Sequence, residues 1–228
     1  MARRGADADA DADMPPPVRA WAAIVLAGGR GVRLGGADKP GLVLGGRTLV
    51  AAVAAAAAAA GACDIIVVGP PRPELAAAVP LARCVSEEPA RSGPVPALRA
   101  GLAIVTAPWI ALLAADLPFL RSAQLLTLLA EAELQAAPGA LLVDDQRRPQ
   151  WLVSCWRSGR LRSELASYRG ASLGGVLGPL RPAEVSITQS PGQPPPWLDC
   201  DTGADLAAAR AFAQRLAAAG SLTERDLG

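Results

Sequence analysis

Apolar and polar positions along the chain form blocks whose period changes repeatedly. Ala22-Ala23-Ile24-Val25-Leu26 is an unbroken apolar run ending in Gly28-Gly29, the pattern of a buried strand entering a loop. Thr48 to Ala60 is dominated by alanine, nine of the ten residues in 51–60, which predicts a helix by propensity alone, stopped by Gly61. Ile65-Ile66-Val67-Val68 is β-branched throughout and closed by Gly69-Pro70-Pro71, a second strand. A short helix near 73–79, a strand near 83–87 and a helix from Pro94 to Val105 follow. Trp109 to Ala114 is a further apolar strand, ending at Asp116-Leu117-Pro118. Ser122 to Gln135 reads as a helix, Ala140–Val143 and Trp151–Trp156 as paired strands, and Ala204 to Ala218 as a final helix.

Strands alternating with helices predict an α/β fold with a mostly parallel sheet covered on both faces. Ligands of such sheets sit beyond the carboxyl ends of the strands. The post-strand segments 27–39, 69–72, 86–94 and 115–118 should therefore face one crevice. With no 20–50-residue repeat and no linker in the sequence, residues 20–218 read as one domain. Residues 1–19 are charged and small through Pro15-Pro16-Pro17, which predicts a disordered lead-in; they lack the apolar core of a signal peptide. Residues 219–228 are left as a C-terminal tail.

Composition changes this picture by exclusion. The 228 residues carry 22 Lys+Arg against 21 Asp+Glu, a formal charge of +1, which gives no electrostatic case for a nucleic-acid or membrane-surface partner. There is no histidine, which removes Ser-His-Asp and Cys-His catalysis, His-ligated zinc and the usual neutral-pH proton shuttle. Cys63, Cys84, Cys155 and Cys200 form no C-x-x-C pair and read as buried thiols of a reducing cytosol. Charged residues or proline interrupt every apolar run before about 18 residues, so no membrane span is expected and the default location is cytoplasmic. Lys39 is the single lysine; the other basic residues are all arginine.

The candidate chemistry centres on Leu26-Ala27-Gly28-Gly29-Arg30-Gly31-Val32-Arg33-Leu34-Gly35-Gly36-Ala37-Asp38-Lys39. A glycine-rich loop after the first strand lets backbone N–H groups approach phosphate oxygens, and its cations neutralise a polyphosphate. It matches neither G-x-G-x-x-G nor a P-loop, since Lys39 is followed by Pro40 rather than Ser or Thr. A flexible surface loop is the alternative. The uniqueness of Lys39 favours phosphate, because a compact ammonium on a flexible stem suits a single oxygen in a tight site. Asp116, at the crevice edge with Pro118 fixing the chain's exit, is placed to hold Mg²⁺ on a triphosphate; a cap or turn aspartate is the alternative.

Leu26-Ala27-Gly28-Gly29, then Arg33, Gly35, Asp38-Lys39, Leu44, Gly46 and Thr48-Leu49, resemble the signature of the MobA-like nucleotidyltransferases, and within them most closely the molybdenum cofactor guanylyltransferases. The resemblance continues through Glu87-Glu88, Gly93-Pro94, Asp116-Leu117-Pro118-Phe119 and Asp199-Cys200-Asp201-Thr202-Gly203-Ala204-Asp205-Leu206, covering nearly all of 22–210. It implies a Rossmann-like three-layer α/β/α sandwich of the nucleotide-diphospho-sugar transferase kind. It also implies transfer of GMP from GTP to a molybdopterin-type acceptor with Mg²⁺, and leaves room for transient contact with other molybdenum cofactor proteins.

By the same resemblance, Leu26, Ala27, Gly28 and Gly29 offer backbone to the nucleotide, Lys39 contacts its phosphates, and Arg33 adds neutralising charge. Glu88 takes the position of a ligand-contacting aspartate, and Asp116 belongs to metal and nucleotide. Asp201 falls where relatives carry a second metal ligand, with a helix N-cap as its alternative. Arg147, Arg148, Arg157, Arg160 and Arg162 are candidate acceptor anchors or simply a solvated arginine face. The sequence departs from the family at Val68-Gly69-Pro70, at Glu88 and at Gly93-Pro94-Val95-Pro96-Ala97, positions that shape the base pocket. A cytidylyltransferase, a guanylyltransferase for another phosphorylated acceptor and a non-catalytic nucleotide-binding module remain open from the sequence.

Overall fold

The apolar runs become strands of one sheet because their β-branched and aromatic side chains can be buried on both faces at once. In the computed structural model, which describes residues 20–28, 38–90, 92–188, 193–200 and 202–218, these strands are β1 (Trp21–Leu26), β4 (Asp64–Val68), β5 (Ala82–Val85), β6 (Trp109–Ala114), β7 (Gly139–Val143), β8 (Pro149–Arg157) and β9 (Ala183–Val185). They form a seven-stranded sheet in the order β5-β4-β1-β6-β8-β7-β9. The first four strands run parallel, β8 is antiparallel to β6 and β7, and β9 runs parallel to β7. A two-stranded hairpin, β2 (Val43–Leu44) and β3 (Arg47–Thr48), stands apart from the sheet. Gly45 and Gly46 turn it with φ of 58° and 86°, the left-handed pair that a two-residue type I′ turn requires.

Helices cover both faces. On one lie α1 (Leu49–Ala59), α2 (Pro73–Ala78) and α4 (Ser122–Leu134); on the other, α3 (Pro94–Ile104), α5 (Ser158–Ser167) and α6 (Leu173–Leu177). The two-residue period of β1 shows this directly: Trp21, Ala23 and Val25 join the first core, Ala22 and Ile24 the second. The first face holds Val50, Val53, Ala54 and Ala57 of α1 against Leu125, Leu128 and Leu129 of α4. Each fully buried Val, Leu or Ile contributes roughly 1.5–3 kcal/mol of burial. Thr48 caps α1 by accepting the Ala51 N–H at 3.3 Å. The three-layer expectation therefore holds, and α7 (Gly203–Ala218) follows as the final helix.

Several details differ from the sequence reading. The strand expected near 83–87 is Ala82–Val85, so Glu87 and Glu88 lie in the loop beyond it. Helices α5 and α6, strand β9 and the β2–β3 hairpin were not anticipated. Of the cysteines expected to be buried, Cys155 and Cys200 are, Cys84 is half-buried, and Cys63 is exposed in the turn between α1 and β4. The lead-in 1–19 and the tail 219–228 lie outside the described residues, as do Gly29, Arg33 and Asp201. No helix among the described residues is long and apolar enough to cross a membrane.

Gly101 sets how closely α3 approaches the sheet. A Cβ there would stand 2.7 Å from Ile24 Cγ2 and 3.0 Å from Val68 Cγ2, both in the β1–β4 pair. Gly101→Val is expected to cost about 2–3 kcal/mol by overpacking. Gly159→Ala, in α5 where nothing stands within 4 Å, should be close to neutral. Chemical denaturation of the two variants checks the pair, and equal stabilities would contradict this packing.

Candidate active site

The parallel strands end together. In the sheet register Val85 pairs with Val68, Val68 with Leu26, and Leu26 with Ala114, so β5, β4, β1 and β6 all stop on one row. The next residues stitch the edge: Ala27 N–H donates to Val68 O at 2.8 Å, Gly69 N–H to Val85 O at 2.9 Å and Ala115 N–H to Leu26 O at 3.1 Å. Strand order reverses between β1 and β6, since β4 and β5 lie to one side of β1 and the later strands to the other. That is the switch point where open α/β sheets bind ligands. The segments expected to share a crevice do leave from this edge.

Lys39 and Asp116 meet there. Lys39 opens a 3₁₀ turn, Lys39–Gly41, and its ammonium is ion-paired with Asp116 Oδ2; the two side chains are 12% and 17% exposed. Asp116 does not cap the following helix, because α4 is entered through Arg121, whose N–H donates to the Gln124 side chain at 2.7 Å. The loops bearing the pair are joined behind it. Leu42 and Leu44, just after Lys39, and Phe119, just after Asp116, pack with Leu49, Cys200, Leu206 and Ala209. Phe119 and Phe212 of α7 meet with ring centres 5.8 Å apart.

Cys200 lies in this small cluster, close enough to feel both charges. Burial pushes its thiol up to about 11, aided by the Asp116 carboxylate and opposed by the Lys39 ammonium. It is thus a protonated packing residue rather than a thiolate ligand or nucleophile. The cap of α7 is Thr202, whose Oγ1 accepts the Asp205 N–H at 3.1 Å while the Asp205 carboxylate accepts the Thr202 N–H at 2.6 Å. Asp201 itself, with its metal and capping readings, lies outside the described residues.

The remaining expected residues divide. Leu26 and Ala27 spend a carbonyl and an N–H on the edge, and the backbone leaves the sheet at Gly28. Glu88 is exposed, whereas Glu87 is buried and its Oε1 would stand 3.1 Å from a Cβ added to Gly28. The arginines proposed as acceptor anchors have structural work. Arg157 stacks on Trp109 at 4.5 Å, Arg162 donates to the Leu102 carbonyl at 2.7 Å, Arg147 pairs with Glu184 and Arg148 with Asp144. Arg160 is exposed on α5.

Two residues escaped the sequence reading. One is Glu87, which the two-residue displacement of β5 brings inward. The other is Arg72, after β4, whose buried guanidinium grips Asp38 through Nη2–Oδ1 at 2.6 Å and Nη1–Oδ2 at 2.8 Å. Arg72 holds the Asp38 carboxyl below the usual carboxylate range, so the pair persists through neutral and mildly acidic pH. It is lost only as pH falls through that lowered value. The signal for Arg72 was its isolation between Pro71 and Pro73 at the end of an apolar strand.

This edge, with a cation and a carboxylate facing each other at the switch point, defines an α/β protein of the nucleotidyltransferase fold. Solved structures agree on the fold. A nucleotidyl transferase from Methanothermobacter thermautotroptrophicus superposes with a TM-score of 0.70 at 22% identity, covering 86% of this chain and 98% of its own. The 4-diphosphocytidyl-2C-methyl-D-erythritol synthase of Anaerococcus prevotii gives 0.64 at 12% identity, covering 87% and 97%. The chain belongs to the MobA-like NTP transferase domain family, whose model matches residues 23–183. It is 34% identical over 146 residues to the molybdenum cofactor guanylyltransferase of Pseudomonas paraeruginosa, a match covering 64% of this chain and 65% of that relative, just under two thirds of its length.

Thiol reactivity offers a check on the site's packing. Burial also pushes the Cys155 thiol up to about 12. At pH 8 the native protein should react at once with a disulfide reagent at Cys63, more slowly at Cys84, and at Cys155 and Cys200 only after unfolding. Rapid labelling of Cys200 in the folded protein would contradict the closed cluster beside Lys39 and Asp116.

Proposed function

We propose that the chain is a nucleotidyltransferase that moves GMP from GTP to the phosphate of molybdopterin, releasing pyrophosphate and requiring Mg²⁺. The observation that carries this reading is the Lys39–Asp116 pair at the switch point, in a chain belonging to the MobA-like family. The named relative adds guanine and the molybdenum cofactor.

The residues present suit Mg²⁺. Asp116 supplies a hard carboxylate oxygen at the crevice, Asp201 is the second candidate, and the neighbouring Cys200 thiol stays protonated and offers no competing soft ligand. Mg²⁺ commonly needs only one or two protein carboxylates when substrate phosphates and water complete its shell. When bound it would neutralise charge developing on the triphosphate. Lys39 would exchange Asp116 for a phosphate oxygen as the nucleotide enters, and Arg33 with the N–H groups of Gly28 and Gly29 would hold the rest of the polyphosphate. The attacking phosphate monoester is already an anion, so no general base is required and a chain without histidine can perform the transfer. Its contribution is position and charge.

A second reading, cytidylyl transfer to another phosphorylated acceptor, draws support from the likeness to the diphosphocytidyl synthase and from Val68-Gly69-Pro70 at the base pocket. Gly28-Gly29 and Asp38-Lys39 favour the guanylyl branch. A thermal-shift screen of GTP, CTP, UTP and ATP with Mg²⁺ separates them, because the nucleotide bound most tightly raises the melting temperature most. GTP is expected to lead. A lead by CTP selects the second reading, and no shift with any of the four points to a module that has lost the site.

Asp116→Asn keeps size and hydrogen bonding but removes the charge. Turnover should fall a hundredfold or more, on the order of 3 kcal/mol, with partial recovery at raised Mg²⁺. Melting temperature should drop modestly, since the charge–charge attraction between Lys39 and position 116 is lost. Normal turnover at low Mg²⁺ would place the metal elsewhere.

A further inference from the structure

The Asp38–Arg72 pair is costly as a stabilising device. Its guanidinium is only 4% exposed while Asp38 is 60% exposed, and Arg72 Nε is buried with no hydrogen-bond partner among the described residues. Burying a guanidinium with one donor unpaired carries a desolvation penalty, and its further ion pair, Nη1 to the half-exposed Glu74 carboxylate at 3.9 Å, is too long to add much. What the pair does supply is geometry. Two parallel N–H···O bonds fix both distance and orientation, which a lysine could not do.

What is fixed lies one residue from Lys39. Asp38 leads the 3₁₀ turn, and its carbonyl accepts the Gly41 N–H at 3.0 Å while the Lys39 carbonyl accepts the Leu42 N–H at 3.1 Å. Gly41 must be small, because a Cβ there would overlap the Asp38 carboxylate and stand 3.3 Å from Arg72 Nη1. Pro40 within the turn is buried and removes backbone freedom. Arg72 in turn sits on the loop leaving β4, whose Gly69 packs on Ala27 at the end of β1. The fork thus ties the Lys39 turn to the loop leaving β4, independently of the Lys39–Asp116 contact.

We propose that Arg72, acting through Asp38, is the positioning residue that aims Lys39 at the nucleotide's phosphates. This rests on the nucleotidyltransferase reading above. Arg72 touches neither Asp116 nor substrate in this role; it sets the height and direction of the turn from which the lysine stem rises. Holding that backbone leaves the ammonium as the only moving part, able to alternate between Asp116 and a phosphate without the turn following it.

The test is a binding cycle on the full chain with Mg²⁺·GTP and with guanosine, measured by competition against a fluorescent nucleotide. Asp38→Asn and Arg72→Lys should each weaken Mg²⁺·GTP about tenfold while leaving guanosine within about twofold, because only the phosphates are read by Lys39. In a Lys39→Ala background the same substitutions should change Mg²⁺·GTP affinity less than about twofold. The proposal is overturned if either variant binds Mg²⁺·GTP like the parent, if the loss persists without Lys39, or if guanosine is lost in parallel. It also fails if both variants lose their melting transition, which would make the pair a folding element. A parent protein that binds none of the four Mg²⁺·nucleoside triphosphates instead overturns the functional reading itself.

Discussion

The constraint on which the rest depends is the register that ends four parallel strands on one row. Because Val85, Val68, Leu26 and Ala114 stand side by side, the loops that follow them start level. Only then can Lys39, thirteen residues beyond the end of β1, meet Asp116, two residues beyond the end of β6. A slip of one residue in any of these strands would turn its buried set to the wrong face. With Ile24, Val25, Ile66 and Val67 fully buried, that slip is forbidden by the core itself. The two hydrophobic layers therefore specify the site as well as the fold.

Most of this architecture was legible because the signals were long or chemically extreme. The alanine run of α1, the β-branched run of β4 and the apolar run of β6 each leave one choice, and the structure places them within a residue or two. What was missed lacked length. β9 is Ala183–Val185, too short to show a period, and α6 spans five residues. α5 carries only Leu161 and Leu165 at helical spacing amid polar residues, a signal easily lost. The hairpin had its Gly45-Gly46 turn in plain view, but two-residue strands give that turn nothing to join in a sequence pattern.

At the site, legibility followed chain distance. Lys39 and Asp116 stood out singly, one by being the only lysine and one by ending an apolar strand. The Arg72 fork onto Asp38 did not, because an ion pair between residues 34 apart leaves no trace in local pattern. The same limit explains Glu87 and Glu88. Two adjacent glutamates look alike in sequence, and which one turns inward depends on where β5 stops.

The chain's cations divide labour in a way that makes the lone lysine intelligible. The arginines with described partners hold fixed frames: Arg162 takes a carbonyl near the C-terminal end of α3, Arg99 the Tyr168 carbonyl at 2.7 Å, and Arg157 the face of Trp109. Arg83 forks onto Asp64 across the β4–β5 edge, and Arg72 onto Asp38. A planar, delocalised cation with several donors suits such static geometry. The site calls for the opposite property. On the proposed reading, a group that neutralises Asp116 and then a nucleotide phosphate needs a point charge on a stem with several rotatable bonds. Arginine at position 39 would bond Asp116 in a fork and give it up reluctantly, so the chemistry that favours arginine throughout the scaffold is the chemistry that excludes it here.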